Sequence, residues 1–253
     1  MQIKYKDKIV AFIDVLGFSN IVYSNTTQLI NQYFNYVLED FKGPVKENNF
    51  DYYLISDSIV ITADNTKENL KAMIELTCLM QSKLMMEGIL LRGGISCGNL
   101  YLNKTKGIIV GTGLINAYKL EPKAVYPRVI IDRCFITKYF TDTKSTKAFL
   151  KNTLFNFLIS SPPVPYIADF LYIDYLRFFC VSAKRYKYDK AMQLIKQYYY
   201  KNEHIEKYEW LRVHFLYALL EQYNFLKQQI PPTKSTRKAI RLIEEVLEEV
   251  KKL

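Results

Sequence analysis

The order in which hydrophobic periods succeed one another over residues 8–132 constrains this chain more than any other feature. Lys8–Val15 (KIVAFIDV) is a short apolar run ending near Gly17 and reads as a buried strand. Thr26–Phe41 has apolar residues at 29, 30, 33, 34, 37, 38 and 41, which is helical spacing, with Gly43-Pro44 as the expected stop. Phe50–Ile55 and Ile59–Ala63 are β-type runs around Ser56-Asp57-Ser58, which predicts a hairpin. Thr66–Glu87 is a second amphipathic helix closed by Gly88, and Ile89–Cys97 (ILLRGGISC) is a strand with two central glycines. The order β-α-β-β-α-β predicts an α+β fold, a ferredoxin-like antiparallel sheet with two helices on one face. Gly107–Val110 (strand), Gly113–Leu120 (a helix stopped before Pro122) and Pro127–Asp132 (strand) extend it.

Beyond residue 150 the texture changes. Ser160-Ser161-Pro162-Pro163 is a turn-rich junction, and Ile167–Lys184, Lys187–Lys201, Glu203–Gln229 and Ser235–Lys252 are helical in period, the last set off by Pro231-Pro232. Two units are expected: residues 1–158, holding the sheet, and residues 159–253, an α-helical C-terminal extension packed on the sheet or on a partner chain.

Composition narrows the chemistry. Of 253 residues, 49% are hydrophobic and 24% charged, which excludes a mainly disordered chain. Cys78, Cys97, Cys134 and Cys180 form no CxxC pair, so neither a zinc knuckle nor a disulfide framework is expected. His204 and His214 are the only histidines, too few for a multi-His metal site and poor support for a Ser-His-Asp triad. An enzyme of this composition works with carboxylates, Lys/Arg, Tyr and backbone groups. A polar, basic start and the lack of an apolar run near ~20 residues lead to the expectation of a cytoplasmic protein with no membrane span. The net charge of +10 suits an anionic ligand or nucleic acid, and equally an ordinary solvated basic surface.

Asp14 and Asp57 are the best-placed carboxylates. Asp14 ends the first strand within an apolar run, where a charge is costly unless paired or bound to a metal. Asp57 sits at the tip of a hairpin that a ferredoxin-like sheet places beside that strand. Converging carboxylates suit Mg2+ or Mn2+, which take oxygen ligands and keep positions for water and phosphate; Asp57 alone reads equally as a turn residue. Gly17-Phe18, just after Asp14, either aims backbone N–H groups at a phosphate or simply permits a turn. Arg92, inside an apolar strand, is a phosphate contact or half of a structural ion pair.

Four segments in order resemble class III nucleotide cyclases. Phe12-Ile13-Asp14-Val15-Leu16-Gly17-Phe18-Ser19 is similar to their first metal motif, and Ser56-Asp57-Ser58, 43 residues after Asp14, to their second. Leu91-Arg92-Gly93-Gly94-Ile95-Ser96-Cys97-Gly98 looks like their glycine-bearing strand, and Gly111-Thr112-Gly113-Leu114-Ile115-Asn116-Ala117-Tyr118-Lys119-Leu120-Glu121 their last catalytic segment. The resemblance covers residues 8–132 and makes 1–158 the catalytic unit. It implies a head-to-tail homodimer with composite sites, each holding two Mg2+ or Mn2+ ions on Asp14, Asp57 and the Val15 carbonyl. It also implies attack of a ribose 3′-hydroxyl on the α-phosphate of a nucleoside triphosphate, with loss of pyrophosphate.

The sequence departs from the family at several positions. Ile115 stands where the family has its Asn, with Asn116 one residue later, and Lys119 replaces the Arg. Asn116 and Lys119, three apart, share a helix face and remain the candidates to reach ribose and phosphate, although Lys lacks the guanidinium fork. Tyr53 replaces the Lys that purine cyclases place four residues before the second metal Asp, and Ile108 replaces their base-reading Asp. These departures, with the Ala-Tyr-x-Leu-Glu ending, resemble the pyrimidine cyclases of bacterial Pycsar antiviral defence, as does Lys207-Tyr208-Glu209-Trp210-Leu211 in the helical tail. The implied activity is a lyase, a uridylate cyclase making cyclic UMP or, with CTP, a cytidylate cyclase making cyclic CMP, whose product acts on a separate effector protein. The choice of UTP follows family frequency. By alternation Tyr53 shares a sheet face with Asp51, Ile55 and Asp57, where its ring narrows the base pocket. Two other classes stay open: a catalytically silent module of the same fold that binds nucleotide or a partner, and an RNA-binding ferredoxin-like domain. Direct nucleic-acid binding is not expected, because Gly93-Gly94-Ile95 does not resemble an RNP strand.

Overall fold

The computed structural model describes residues 3–23, 27–139, 171–182, 184–199 and 205–253. The first strand, β1 (Lys6–Val15), lies at the centre of the sheet. Two short helices follow, α1 (Phe18–Tyr23) and α2 (Thr27–Asn35), and α2 runs into a wide helical turn over Tyr36–Asp40. Next come α3 (Lys42–Glu47), the hairpin β2 (Asp51–Ile55) and β3 (Ser58–Asp64), α4 (Lys67–Met85) and the long β4 (Leu91–Asn103). Then follow β5 (Ile108–Val110), α5 (Thr112–Ala124), β6 (Val129–Ile131) and α6 (Cys134–Tyr139). The C-terminal part adds β7 (Leu171–Tyr172) and α7 (Tyr175–Ser182), α8 (Arg185–Tyr199), α9 (Ile205–Lys227) and α10 (Lys234–Lys251).

The sheet order is β2-β3-β1-β4-β6-β7, with β5 paired to β4. The expected βαββαβ core is present, with β1 flanked antiparallel by β3 and β4; the β4–β6 pair alone is parallel among those described. Alternation along β1 divides its side chains. Ile9, Ala11 and Ile13 enter the main core with Tyr33 and Val37 of the α2 segment and Leu70, Met73 and Ile74 of α4. Val10 and, partly buried, Phe12 face the other side, against Val60, Leu100 and Ala117 of α5. The two expected helices thus share one face, and α5 covers part of the opposite one.

Three local expectations are corrected. Gly43-Pro44 does not stop the helical region: both lie inside α3, where Pro44 occupies a first turn whose N–H groups have no intrahelical acceptor, so proline costs little there. Pro122 lies within α5, which continues to Ala124 and ends at Val125 with φ 56°. Pro122 and Tyr118 are exposed, so the carbonyl that loses its N–H donor stands on the solvent side. Leu171–Tyr172, expected in a helix, pairs antiparallel with Ile131 and Ile130 as an added edge strand. The helix start at Thr66 is as expected, its hydroxyl accepting from Asn69 N at 3.1 Å.

The helices after β7 share the main core, through Tyr175, Phe179, Tyr188, Trp210, Phe215 and Val246. The Ser160–Pro163 junction, the 158/159 boundary and His204 lie outside the described residues. His214 is buried, stacked on Trp210 at 4.0 Å, its Nδ1 2.9 Å from the Trp210 carbonyl. All four cysteines are free.

Asp174 caps α7, accepting from Arg177 N at 3.1 Å. Burial pushes its carboxyl up from 3.8 to about 6, against the opposing pull of that N–H and of the Arg177 charge. A carboxyl whose folded pKa is raised favours folding most below its unfolded pKa, and that contribution is lost as pH rises through about 6. Asp174→Asn keeps the cap and removes the ionisation. It is expected to match the parent near pH 4 and to exceed its stability by about 2–3 kcal/mol at pH 8, read as urea midpoints. A difference independent of pH would contradict this.

Candidate active site

The two aspartates approach each other because of strand pairing. Ile13 faces Ile59 across β1 and β3, so the next residue along β1, Asp14, meets the start of β3. Ser58 Oγ donates to Asp14 Oδ1 at 3.3 Å. Ile55 pairs with Ser58, leaving Ser56 and Asp57 as a two-residue turn, and Ser56 takes the positive φ of 58° that such a tight hairpin requires at its first position. Tyr33 of α2, almost wholly buried, donates its hydroxyl to the Asp57 carbonyl at 2.8 Å and fixes the turn from the core side.

The electrostatics are those of crowded carboxylates. Asp14 is pushed up to about 6, first by burial, then by the neighbouring charges of Asp57 and Glu121 and a hydrogen bond with Asp57, against the pull of Arg92. Glu121, from α5, is raised mainly by burial and further by Asp57, again opposed by Arg92. Arg92 faces Asp14 across β1 and β4, reaches Asp14 Oδ2 at 3.6 Å through Nη2, and pairs through Nε with Glu121. Asp14 and Glu121 flank the one guanidinium and Asp57 neighbours both carboxylates, so acidic groups outnumber the cation at this end of the sheet.

That donor set fits a hard divalent cation, which would separate the like charges of Asp14 and Asp57 while leaving coordination positions for water or phosphate. Among the described residues no three His, Cys, Asp or Glu side chains converge as a ligand set, so further ligands would be the backbone, water or a substrate. Val15, buried at the end of β1, follows Asp14 directly, and Leu16 N donates to Leu90 O at 2.8 Å. Gly17 takes a φ of 72° and starts α1, its carbonyl accepting from Asn20 N and Ile21 N. Phe18 packs edge-on against Tyr33 at 5.8 Å, so the Gly17-Phe18 turn and the Asp57 turn rest on the same tyrosine.

Tyr53 lies across from Val60 and packs with Val10, Val60 and Leu100 on the sheet face that carries α5. Its hydroxyl is buried without a hydrogen-bond partner among the described residues, and burial raises it. Asp51, on the same face, pairs with Lys104 at 2.5 Å. Asp57 belongs to the turn, so the alternation linking Asp51, Tyr53 and Ile55 ends at Ile55.

Asn116 and Lys119 are exposed on α5. Asn116 Nδ2 donates to the Cys97 carbonyl at 3.3 Å, and among the described residues neither Asn116 nor Lys119 hydrogen-bonds or ion-pairs with Asp14 or Asp57. The chain therefore brings together Asp14, Asp57, Ser58, Arg92, Glu121 and Tyr33, with Asn116 and Lys119 outside that group. Glu121 and Tyr33 were not singled out from the sequence. Glu121 had a signal: with Gly113, Ala117, Leu120 and Ala124 it lies on the buried stripe of α5, where a charge needs a partner, and Arg92 in an apolar strand is the matching cation. Tyr33 fits the apolar period, but nothing in that period marks its hydroxyl.

The apolar groove lined by Val37, Phe41, Val45 and Tyr52 beside α3 and β2 includes none of these carboxylates. No helix among the described residues is long and apolar enough to cross a membrane.

No protein-family model matches the sequence, and no curated protein does. Solved structures similar in shape include the adenylyl cyclase CyaB from P. aeruginosa, with 14% identity over 68% of this chain and 94% of that one and a TM-score of 0.45. An adenylate/guanylate cyclase/hydrolase from Silicibacter pomeroyi has 15% identity over 68% and 96%, also at 0.45. A double mutant of the guanylyl cyclase domain of the RhoGC fusion protein from Blastocladiella emersonii has 16% identity over 68% and 97%, again at 0.45. These are likenesses of shape at low identity, and the chemistry has to be read from this chain's own residues.

Proposed function

We propose that this chain is a nucleotide cyclase, and that its substrate is a pyrimidine nucleoside triphosphate, UTP before CTP, converted to the 3′,5′-cyclic monophosphate and pyrophosphate. The observation that carries the reading is the meeting of Asp14 and Asp57 at one end of the sheet, beside the Gly17-Phe18 turn. Asp14, Asp57 and the Val15 carbonyl would hold two Mg2+ or Mn2+ ions. When bound, such ions supply activation of the attacking hydroxyl and neutralisation of triphosphate charge. The chain's own contribution is positioning. Arg92 and Ser58 orient the Asp14 carboxylate, and Tyr33 holds the Asp57 turn. The Gly17-Phe18 backbone faces the phosphates. Such catalysis requires no histidine.

Asn116 and Lys119 act from a second copy, completing a composite site with the partner's Asn116 on ribose and the partner's Lys119 on phosphate. Asp57→Ala and Lys119→Ala chains are each expected to be nearly inactive alone. An equal mixture should regain roughly a quarter of parental turnover, because half the dimers are mixed and each mixed dimer has one intact site. No recovery on mixing, with both variants dimeric, would refute the composite arrangement.

Tyr53 sets the base. Its ring stands where a Lys stem would leave room for a purine, and its buried hydroxyl, without a hydrogen-bond partner among the described residues, is the group a single-ring base would satisfy. Tyr53→Ala should lower kcat/KM for UTP and CTP by about 10–100-fold relative to ATP and GTP. An unchanged profile across the four would place base reading elsewhere. The product is a second messenger for a separate effector in antiviral defence. The division into a catalytic unit at 1–158 and a helical extension at 159–253 belongs to this reading.

The silent-module alternative is favoured by Ile115 and Lys119, which depart from the catalytic pattern. Incubation with each of the four nucleoside triphosphates and Mn2+, with products identified by mass spectrometry, separates the two. A cyclic pyrimidine monophosphate supports the proposal, and nucleotide binding without any product establishes the silent module.

A further inference from the structure

Away from the carboxylates, two half-buried cysteines meet. Cys97 lies on β4 and Cys134 opens α6, and their sulfurs are 2.9 Å apart. Neighbouring contacts fix both backbones. Ser96 Oγ donates to Asp132 Oδ2 at 2.5 Å, and Asp132 Oδ1 accepts from Cys134 N at 3.0 Å, so the residue beside Cys97 is tied to the turn that presents Cys134. Forming a disulfide shortens the sulfur separation to ~2.05 Å, a movement of under about 1 Å. The other two cysteines, Cys78 and Cys180, are buried and not in contact with this pair.

We propose that Cys97 and Cys134 form an oxidative modification site that a hydroperoxide converts into an intramolecular disulfide. Cys97 is the attacking sulfur. The contact between the two sulfurs, in which either can donate, holds Cys97 below the usual thiol value together with Asn65 and Lys138, against burial and the Asp7 charge. Lys138 is itself anchored to Asp7 at 2.7 Å. Cys134 is pushed well up, chiefly by that same hydrogen bond and by burial, and so keeps its proton as the resolving thiol. Burial raises Cys78 and Cys180 well above the usual range, which leaves both inert.

The chemistry balances. The Cys97 thiolate attacks the terminal peroxide oxygen, the O–O bond breaks, and the leaving hydroxide of hydrogen peroxide (alkoxide of an organic hydroperoxide) takes a proton to become water (or the alcohol). The Cys97 sulfenic acid then accepts attack by the Cys134 sulfur, the S–O bond breaks, and that hydroxide leaves as water with the Cys134 proton. The two sulfurs together lose two electrons, and the hydroperoxide is reduced by two.

The test treats the full chain with stoichiometric hydrogen peroxide and reads intact mass, peptide maps and free thiols. The expected result is a loss of about 2 Da, one linked Cys97–Cys134 peptide, a fall from four free thiols to half that number, and full reversal by dithiothreitol. In the untreated chain Cys97 should be alkylated at least about tenfold faster than Cys134. Cys134→Ser should abolish the link and leave Cys97 as a sulfenic acid that dimedone traps. Four unchanged thiols, a link to Cys78 or Cys180, or oxidation of Cys97 without a link to Cys134 would each overturn the proposal. These readouts do not involve turnover, so they stand or fall separately from the cyclase reading.

Discussion

Asp14→Ala or Asp57→Ala is expected to lower cyclisation by at least about 10³-fold while the chain stays folded. The size of the loss follows from removing half of the carboxylate pair on which the reaction is proposed to assemble. Retention of the fold follows from the local charges. Asp14 lies against two other carboxylates and is pushed up to about 6, so removing it relieves repulsion. Arg92 keeps Glu121 as its partner, and no buried charge is orphaned. Asp57 belongs to a turn that Tyr33 holds through the backbone carbonyl, a contact the substitution leaves in place. Steady-state turnover with Mn2+ and a urea melt decide the matter. Parental activity in either variant removes that residue from the metal site, and loss of the fold in both would show a structural role instead.

The second large effect is on stability. Gly94→Val is expected to destabilise the fold by about 3 kcal/mol or more, enough to remove most of the stability of a marginal domain. A Cβ at Gly94 would run into Leu120 and stand 2.9 Å from the Ala117 carbonyl, because α5 lies directly on β4 at this point. The obstacle includes helix backbone, which cannot rotate away as a side-chain tip does. A urea midpoint within error of the parent would mean that α5 shifts to accommodate the valine. Gly43→Ala, where nothing lies within 4 Å of the added carbon, is the matched control and should change stability little.

Legibility differed from place to place for local reasons. The β1 run, the hairpin around Asp57 and the helix starting at Thr66 were legible because each depends on neighbours in sequence: a short apolar run, a tight turn between two β-type runs and a helical period. Gly43-Pro44 and Pro122 misled because proline's cost depends on where in the helix it falls, and that position was not readable from the dipeptide. Leu171–Tyr172 could not be recognised as a strand, since two residues carry no period and only the waiting edge of β6 gives them partners.

The candidate site divides in the same way. By itself the sequence determined that Asp14 ends a buried strand and that Asp57 tips a hairpin. It also determined that Arg92 is a charge in an otherwise apolar strand, and that two glycines sit in the middle of that strand. Tertiary structure alone decided what those residues meet. The β1–β3 register carries Asp14 to Ser58 and toward Asp57, and the β1–β4 register sets Arg92 opposite Asp14. α5 then brings Glu121 to Arg92 across Gly94, which is small because a helix backbone occupies the space where a side chain would be. The physical reason is that period and turn chemistry act over a few residues of chain. A charge's partner is selected instead by strand register and helix packing, which join positions far apart in sequence at this site, as in Tyr33 to Asp57, Ser58 to Asp14 and Arg92 to Asp14.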